Sequence, residues 1–160
     1  MSLHRLEREQ KVAAPLETVW AYFCDPRNLN ELTPPEMKFV ILGGELPRMY
    51  PGQLIEYRVE FIRSLPAPWL TEIAHVRENE YFVDEQRLGP YQFWYHEHTF
   101  RAVEQGTWMS DRVTYAIGFG PLGDLLNAVW IGGRLKSIFD YRAAKIKQIF
   151  PERRLATETK

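Results

Sequence analysis

Hydrophobic periodicity changes once along this chain, and that change restricts the fold more than any other feature. From Gln53 to Gly118 apolar and polar residues alternate with period two. The alternation breaks at Glu78-Asn79-Glu80, Gly89-Pro90 and Gln105-Gly106. From Leu122 to Phe150 apolar residues recur at helical spacing instead. Residues two apart share a strand face, whereas residues three and four apart share a helix face. A run of strands followed by one long helix implies an α+β architecture, with the helix on one face of an antiparallel sheet.

The spacing predicts seven strands. Leu3–Ala13 reads as an edge strand, and Phe39–Leu42 is short and apolar. Gln53–Ile62, Pro66–Val76, Tyr81–Leu88, Tyr91–Val103 and Thr107–Gly118 form the meander. Two short helices fall between the first two strands. Pro15 opens one, which carries Leu16, Val19, Trp20 and Phe23, and Asp25-Pro26 starts another through Asn28 to Leu32. The long helix carries a stripe of Leu122, Leu125, Leu126, Val129, Leu135, Ile138, Phe139, Ile146, Ile149 and Phe150. Gly132-Gly133 interrupts it, which predicts a kink or a close backbone approach. With 160 residues and no repeat or linker, residues 1–160 read as a single domain, of which 153–160 are expected to fray.

Composition excludes several function classes. A net charge of -1 gives no field to attract nucleic acid. One cysteine, Cys24, allows no internal disulfide framework and no multi-cysteine zinc site, and reads as a small buried residue. No apolar run approaches the roughly 20 residues of a membrane-spanning helix. The start MSLHRLEREQK has no apolar signal core, so a cytoplasmic location is expected. Aromatic residues make up 14% of the chain, enough to fill a core or to line an apolar cavity.

Strand parity separates these uses. On Tyr81–Leu88 and Tyr91–Val103 the odd positions carry Glu85, Arg87, Glu97 and Arg101, which suits water. The even positions carry Phe82, Asp84, Gln86, Trp94, His96, His98 and Phe100, which places them inward. A three-residue loop Gly89-Pro90-Tyr91 sets Asp84 opposite His96 and Gln86 opposite Trp94. A two-residue loop Gln105-Gly106 sets Phe100 opposite Asp111, His98 opposite Val113 and His96 opposite Tyr115. So many polar groups in a filled core are costly unless each is paired, and a cavity between sheet and helix resolves the conflict. The expected lining is Tyr57, Trp69, Thr71, Phe82, Asp84, Gln86, Trp94, His96, His98, Phe100, Met109, Asp111, Val113 and Tyr115 from the sheet, with Val129 from the helix. Arg142 falls beside the helical stripe, where it can pair with an inward acid or snorkel at the stripe's edge. The stretch LNELTPP can cover the cavity mouth or simply connect the elements on either side. His96 and His98 with Asp84 or Asp111 could converge on zinc, but the spacing is no strong ligand motif, and the reading is no metal and no cofactor.

Four segments in this order, PLETVWAYFCDPRNLNELTPPEMKF, FVDEQRLGPYQFWYHEHTF, GTWMSDRVTYAIGFGPLG and IFDYRAAKI, resemble the SRPBCC (START-like, helix-grip) superfamily. They resemble in particular a bacterial subgroup of ligand-binding and polyketide cyclase-like members. The resemblance implies a seven-stranded sheet gripping the long C-terminal helix around a cavity, and supplies no catalytic set. It leaves open a homodimer or an epimerase-like protein partner. Three functions compete. The first is a carrier or sensor of a small hydrophobic or amphipathic ligand. The second is a cyclase or dehydratase that uses His96 and Asp84 as a proton shuttle. The third is a protein-interaction module with a vestigial cavity. The first is preferred, since fold does not fix function.

Overall fold

Alternate positions from Gln53 to Ala116 are rich in β-branched and aromatic residues, and they pair as one antiparallel meander. A computed structural model describes residues 2–44, 46–62 and 65–152; the expected frayed tail lies outside them. The strands are β1 (His4–Val12), β2 (Val40–Leu42), β3 (Gln53–Ile62), β4 (Leu65–Arg77), β5 (Tyr81–Leu88), β6 (Phe93–Val103) and β7 (Gly106–Ala116). They form a seven-stranded sheet in the order β1-β7-β6-β5-β4-β3-β2, so β1 lies at one edge. Between β1 and β2 run helix α1 (Leu16–Phe23) and 3-10 turns at Pro26–Asn30 and Pro35–Met37. After β7 come α2 (Pro121–Leu126), a π turn (Asn127–Ile131) and α3 (Gly132–Ile149).

The face assignment holds. Ile55, Tyr57, Val59 and Phe61 of β3 are buried, as are Trp94, His96, His98 and Phe100 of β6 and Met109, Asp111, Val113 and Tyr115 of β7. Val83 departs from the pattern: it is buried although it belongs to the odd set. Asp84 pairs with His96 in register, as expected. The β6–β7 register is corrected by two residues. His98 lies opposite Asp111, Phe100 opposite Met109, His96 opposite Val113 and Trp94 opposite Tyr115. The turn is Glu104-Gln105, with Gln105 at φ 59°, and Gly106 already belongs to β7. Gly106 is needed because a Cβ there would overlap the Val12 carbonyl oxygen of β1. A slip of two leaves every side chain on its face and changes only its partner.

The first half of the helical stripe is also corrected. Leu122, Leu125 and Val129 are exposed, Val129 by 71%. Helical spacing of 3.6 places them inward, but the π turn widens the helix. The inward face therefore advances in steps of four through Gly123, Asn127, Ile131, Leu135 and Phe139. Gly123 fits there because a Cβ would overlap the Gly118 carbonyl, and Gly132 lies where a Cβ would stand 3.0 Å from the Asn127 carbonyl oxygen. From Leu135 the stripe is as expected, with Leu135, Phe139 and Ile146 buried.

These faces form two apolar clusters. One gathers Trp94, Val113, Tyr115, Leu135 and Phe139. The other gathers Trp20, Phe23, Phe82, Phe100, Met109 and Ile146 around α1. Each buried side chain of this size contributes roughly 1.5–3 kcal/mol. Among the described residues no helix is long and apolar enough to cross a membrane.

Candidate functional site

The two clusters are separated by a polar belt. Along β6 the inward residues run Trp94, His96, His98, Phe100, so two imidazoles interrupt an aromatic row. β5 contributes Asp84 on one side and β7 contributes Asp111 on the other. On α3 the buried series Leu135, Phe139, Arg142, Ile146 brings Arg142 to the same level. The pairing with an inward acid anticipated for Arg142 is present: Nη2 lies 3.7 Å from Asp111 Oδ1.

Both carboxylates reach both imidazoles. His96 Nε2 stands 3.0 Å from Asp111 Oδ1, and its Nδ1 is 3.3 Å from Asp84 Oδ2. His98 Nε2 stands 2.8 Å from Asp84 Oδ2, and its Nδ1 lies 2.8 Å from Asp111 Oδ1 and 3.4 Å from Arg142 Nη2. The two rings are 3.7 Å apart, and Phe82 stacks on His98 at 4.1 Å. Trp94 Nε1 donates to Asp84 Oδ1 at 3.3 Å.

Two carboxylates and one guanidinium leave one negative charge, which an imidazolium cancels. Burial alone would push the His96 pKa down, but the Asp84 charge and the bonds to Asp111 and Asp84 raise it. Burial likewise opposes ionisation of Asp84, yet His96 and His98 hold its pKa well below the usual range. Asp111 is lowered too, against burial, by Arg142 and the two histidines.

Above the belt lies a cavity of about 160 Å³, bounded by sheet, α3 and the Asn28–Thr33 segment. Of the expected lining, Tyr57, Trp69, Thr71, Phe82, Asp84, Trp94, His96 and His98 border it. The other expected residues lie elsewhere. Gln86 clamps the following loop, donating from Nε2 to the Tyr91 carbonyl at 2.7 Å and accepting from Tyr91 N–H at 3.2 Å. Phe100 packs edge-on against Trp20. Val113 is fully buried, and Tyr115 donates its hydroxyl to Asn127 Oδ1 at 2.9 Å. Met109 and Asp111 border a smaller cavity of about 30 Å³ beside β1. Val129 faces away from the site.

Sequence reasoning missed Tyr91 and Phe139 as cavity residues and did not place Arg142 on the cavity wall. Leu29 and Leu32 line it from the LNELTPP stretch, which borders the cavity. Tyr91 lines it from the loop before β6. Its hydroxyl is buried and has no hydrogen-bond partner among the described residues. Burial pushes the Cys24 thiol up to about 11, which keeps it from acting as a thiolate. One group of three described residues, Asp84, His96 and His98, has ligand atoms close enough to converge on a cation.

A curved antiparallel sheet closed by a long terminal helix over a cavity defines an architecture. The chain has the helix-grip fold. Solved structures similar to it share that fold at low identity. A START superfamily protein from Mycobacterium smegmatis matches at 15% identity and TM-score 0.67, over 91% of this chain and 99% of that one. The Zhui aromatase/cyclase from Streptomyces sp. R1128 matches at 15% and 0.64, over 99% of this chain and 100% of that one. Ara h 8.0201 matches at 16% and 0.63, over 92% and 99%. No protein-family model matches the sequence, and no curated protein matches it. The likeness to these helix-grip structures is one of fold.

Proposed function

We propose that the helix-grip cavity binds a small, mostly apolar molecule with one polar end, as a carrier or sensor. The observation that carries this reading is an aromatic-walled space of about 160 Å³ with one polar belt at its base. An apolar cavity of about 150 Å³ is large enough to take up benzene. The walls supply transfer energy at about 25 cal/mol per Å² of apolar surface, and the belt fixes orientation.

The belt is a poor proton shuttle. Both ring nitrogens of His96 face carboxylates, so neither is free for a ligand. Any transfer would pass through Asp84, whose low pKa makes it a weak base. The belt suits protons better than a metal. Donors on a tetrahedral zinc stand about 3.3 Å apart for bonds of about 2.0 Å. Asp84 Oδ2 and His98 Nε2 stand at the shorter distance of a hydrogen bond.

Native mass spectrometry of the protein from its source cells tests the reading, together with titration by the neutral fluorophore N-phenyl-1-naphthylamine. A copurifying small molecule, or saturable one-to-one binding of the probe, is expected. An empty protein that also fails to bind the probe refutes it.

A further inference from the structure

We propose that the cavity selects a neutral ligand whose polar end is a hydroxyl, donated to Asp84, and that it discriminates against a carboxylate. The inference rests on the cavity being a ligand site. Asp84 is the belt residue most open to the cavity. Its side chain is 18% exposed, against 10% or less for His96, His98, Asp111 and Arg142. An ionised carboxylate offers about four acceptor sites. Three are taken, by His96 Nδ1, His98 Nε2 and Trp94 Nε1. The fourth can be filled only by a donor.

His96 and the Nη2 edge of Arg142 are committed. His96 sits between the two carboxylates, and Arg142 Nη2 faces Asp111 and His98. Arg142 Nε has no partner among the described residues, but the guanidinium is flanked by the rings of Phe23 at 5.5 Å and Phe139 at 5.9 Å. An anionic head at Asp84 therefore meets a like charge. A cationic head adds a net charge to a neutral buried group. A hydroxyl does neither, and hydrogen bonds to charged groups are the stronger kind. Two donors stand elsewhere on the wall. The Tyr91 hydroxyl has no partner among the described residues, and Thr71 Oγ1, which accepts from Trp69 Nε1 at 3.0 Å, keeps its own proton. They suit an acceptor at the far side of the ligand. Trp69 and Trp94, which meet edge-to-face at 5.3 Å, supply aromatic wall for an apolar body.

Isothermal titration of the full chain at pH 7 with four ligands of one shape tests this. The set is 1-naphthol, 1-naphthoate, protonated 1-(aminomethyl)naphthalene and 1-methylnaphthalene. Naphthol is expected to bind about tenfold or more tighter than methylnaphthalene, the value of one charged hydrogen bond. Naphthoate is expected to bind at least about tenfold weaker than naphthol, as is the ammonium. Asp84→Asn is expected to shrink both gaps, with its fold checked by circular dichroism; if it fails to fold, the wild-type series decides alone. Naphthol no tighter than methylnaphthalene, or naphthoate or the ammonium as tight as naphthol, overturns the proposal and leaves the cavity standing. Failure of all four, methylnaphthalene included, overturns the cavity reading itself.

Discussion

Replacing Arg142 by Met removes the charge that lets two buried carboxylates coexist with one imidazolium, and keeps most of the apolar stem. At an effective dielectric of about 20, the 3.7 Å separation from Asp111 corresponds to an attraction of about 4 kcal/mol. That agrees with the roughly 3–5 kcal/mol lost when one partner of a buried pair is removed. The loss is not fixed, because the buried group can take up a proton and restore neutrality. The variant's native state then holds about one proton more than the wild type's. Its stability falls with pH by up to about 1.4 kcal/mol per unit beyond the wild-type slope, wherever the unfolded chain has already released that proton. Urea unfolding at pH 5.5 and pH 8.5 measures this. The destabilisation should be small at the lower pH and approach the full value at the higher. An Arg142→Met loss that is the same at both pH values would refute the charge argument.

The wild-type belt gives its own pH window. The folded pKa of His96 is raised, so its contribution is complete below about pH 6.5 and is lost as pH climbs through the folded value. Asp84 and Asp111 are lowered, so their contributions hold above about pH 3.9 and vanish as pH falls. Chemical denaturation across pH should therefore show greatest stability between about pH 4 and 6.5, with an alkaline decline that His96→Gln removes. Gly133→Ala meets nothing within 4 Å in a helix, so thermal melts should show a gain of about 0.8–1.0 kcal/mol. Gly123→Ala forces a Cβ into the Gly118 carbonyl and should lose about 1–3 kcal/mol in the same assay. Tyr91→Phe deletes a buried hydroxyl that has no partner among the described residues. It should gain up to about 1 kcal/mol in stability and weaken any ligand that accepts a hydrogen bond there, as titration would show.

Much of this site was legible because period-two alternation is a purely local signal. It assigned Asp84, His96 and His98 to one surface before any pairing was known, and Asp111 joined them through the Gln105-Gly106 turn. The Asp84–His96 register followed from Gly89-Pro90. The β6–β7 register did not, because Gly106 looks like a turn residue in the sequence. Its glycine is required by the Val12 carbonyl, which lies more than ninety residues away in the chain. Asp111 therefore faces His98 rather than Phe100, and one acid bridges both imidazoles. The helix misled in a different way. A π turn leaves no apolar signature, and Val129 was counted at a spacing the backbone does not keep. Tyr91 was hidden because it lies in a loop, where parity has no meaning, and its place depends on the Gln86 side chain.

What remains is why the belt exists. Two carboxylates, two imidazoles and a guanidinium carry a desolvation cost that their mutual attraction offsets only when geometry and proton count are right. Apolar residues of similar volume often match or exceed such a group in stability. The neighbouring levels of the same strands show that substitute in place, with Trp94 and Phe100 on β6 and Val113 and Met109 on β7. Folding alone therefore gives no reason to interrupt the aromatic row at this level. The interruption falls where the cavity opens, and there Asp84 offers the most exposed polar edge of the belt, held by His96, His98 and Trp94. A base so constructed is rigid, neutral as a whole and negative at its rim. Those are properties of a fixed point for orienting a ligand, and poor ones for moving protons.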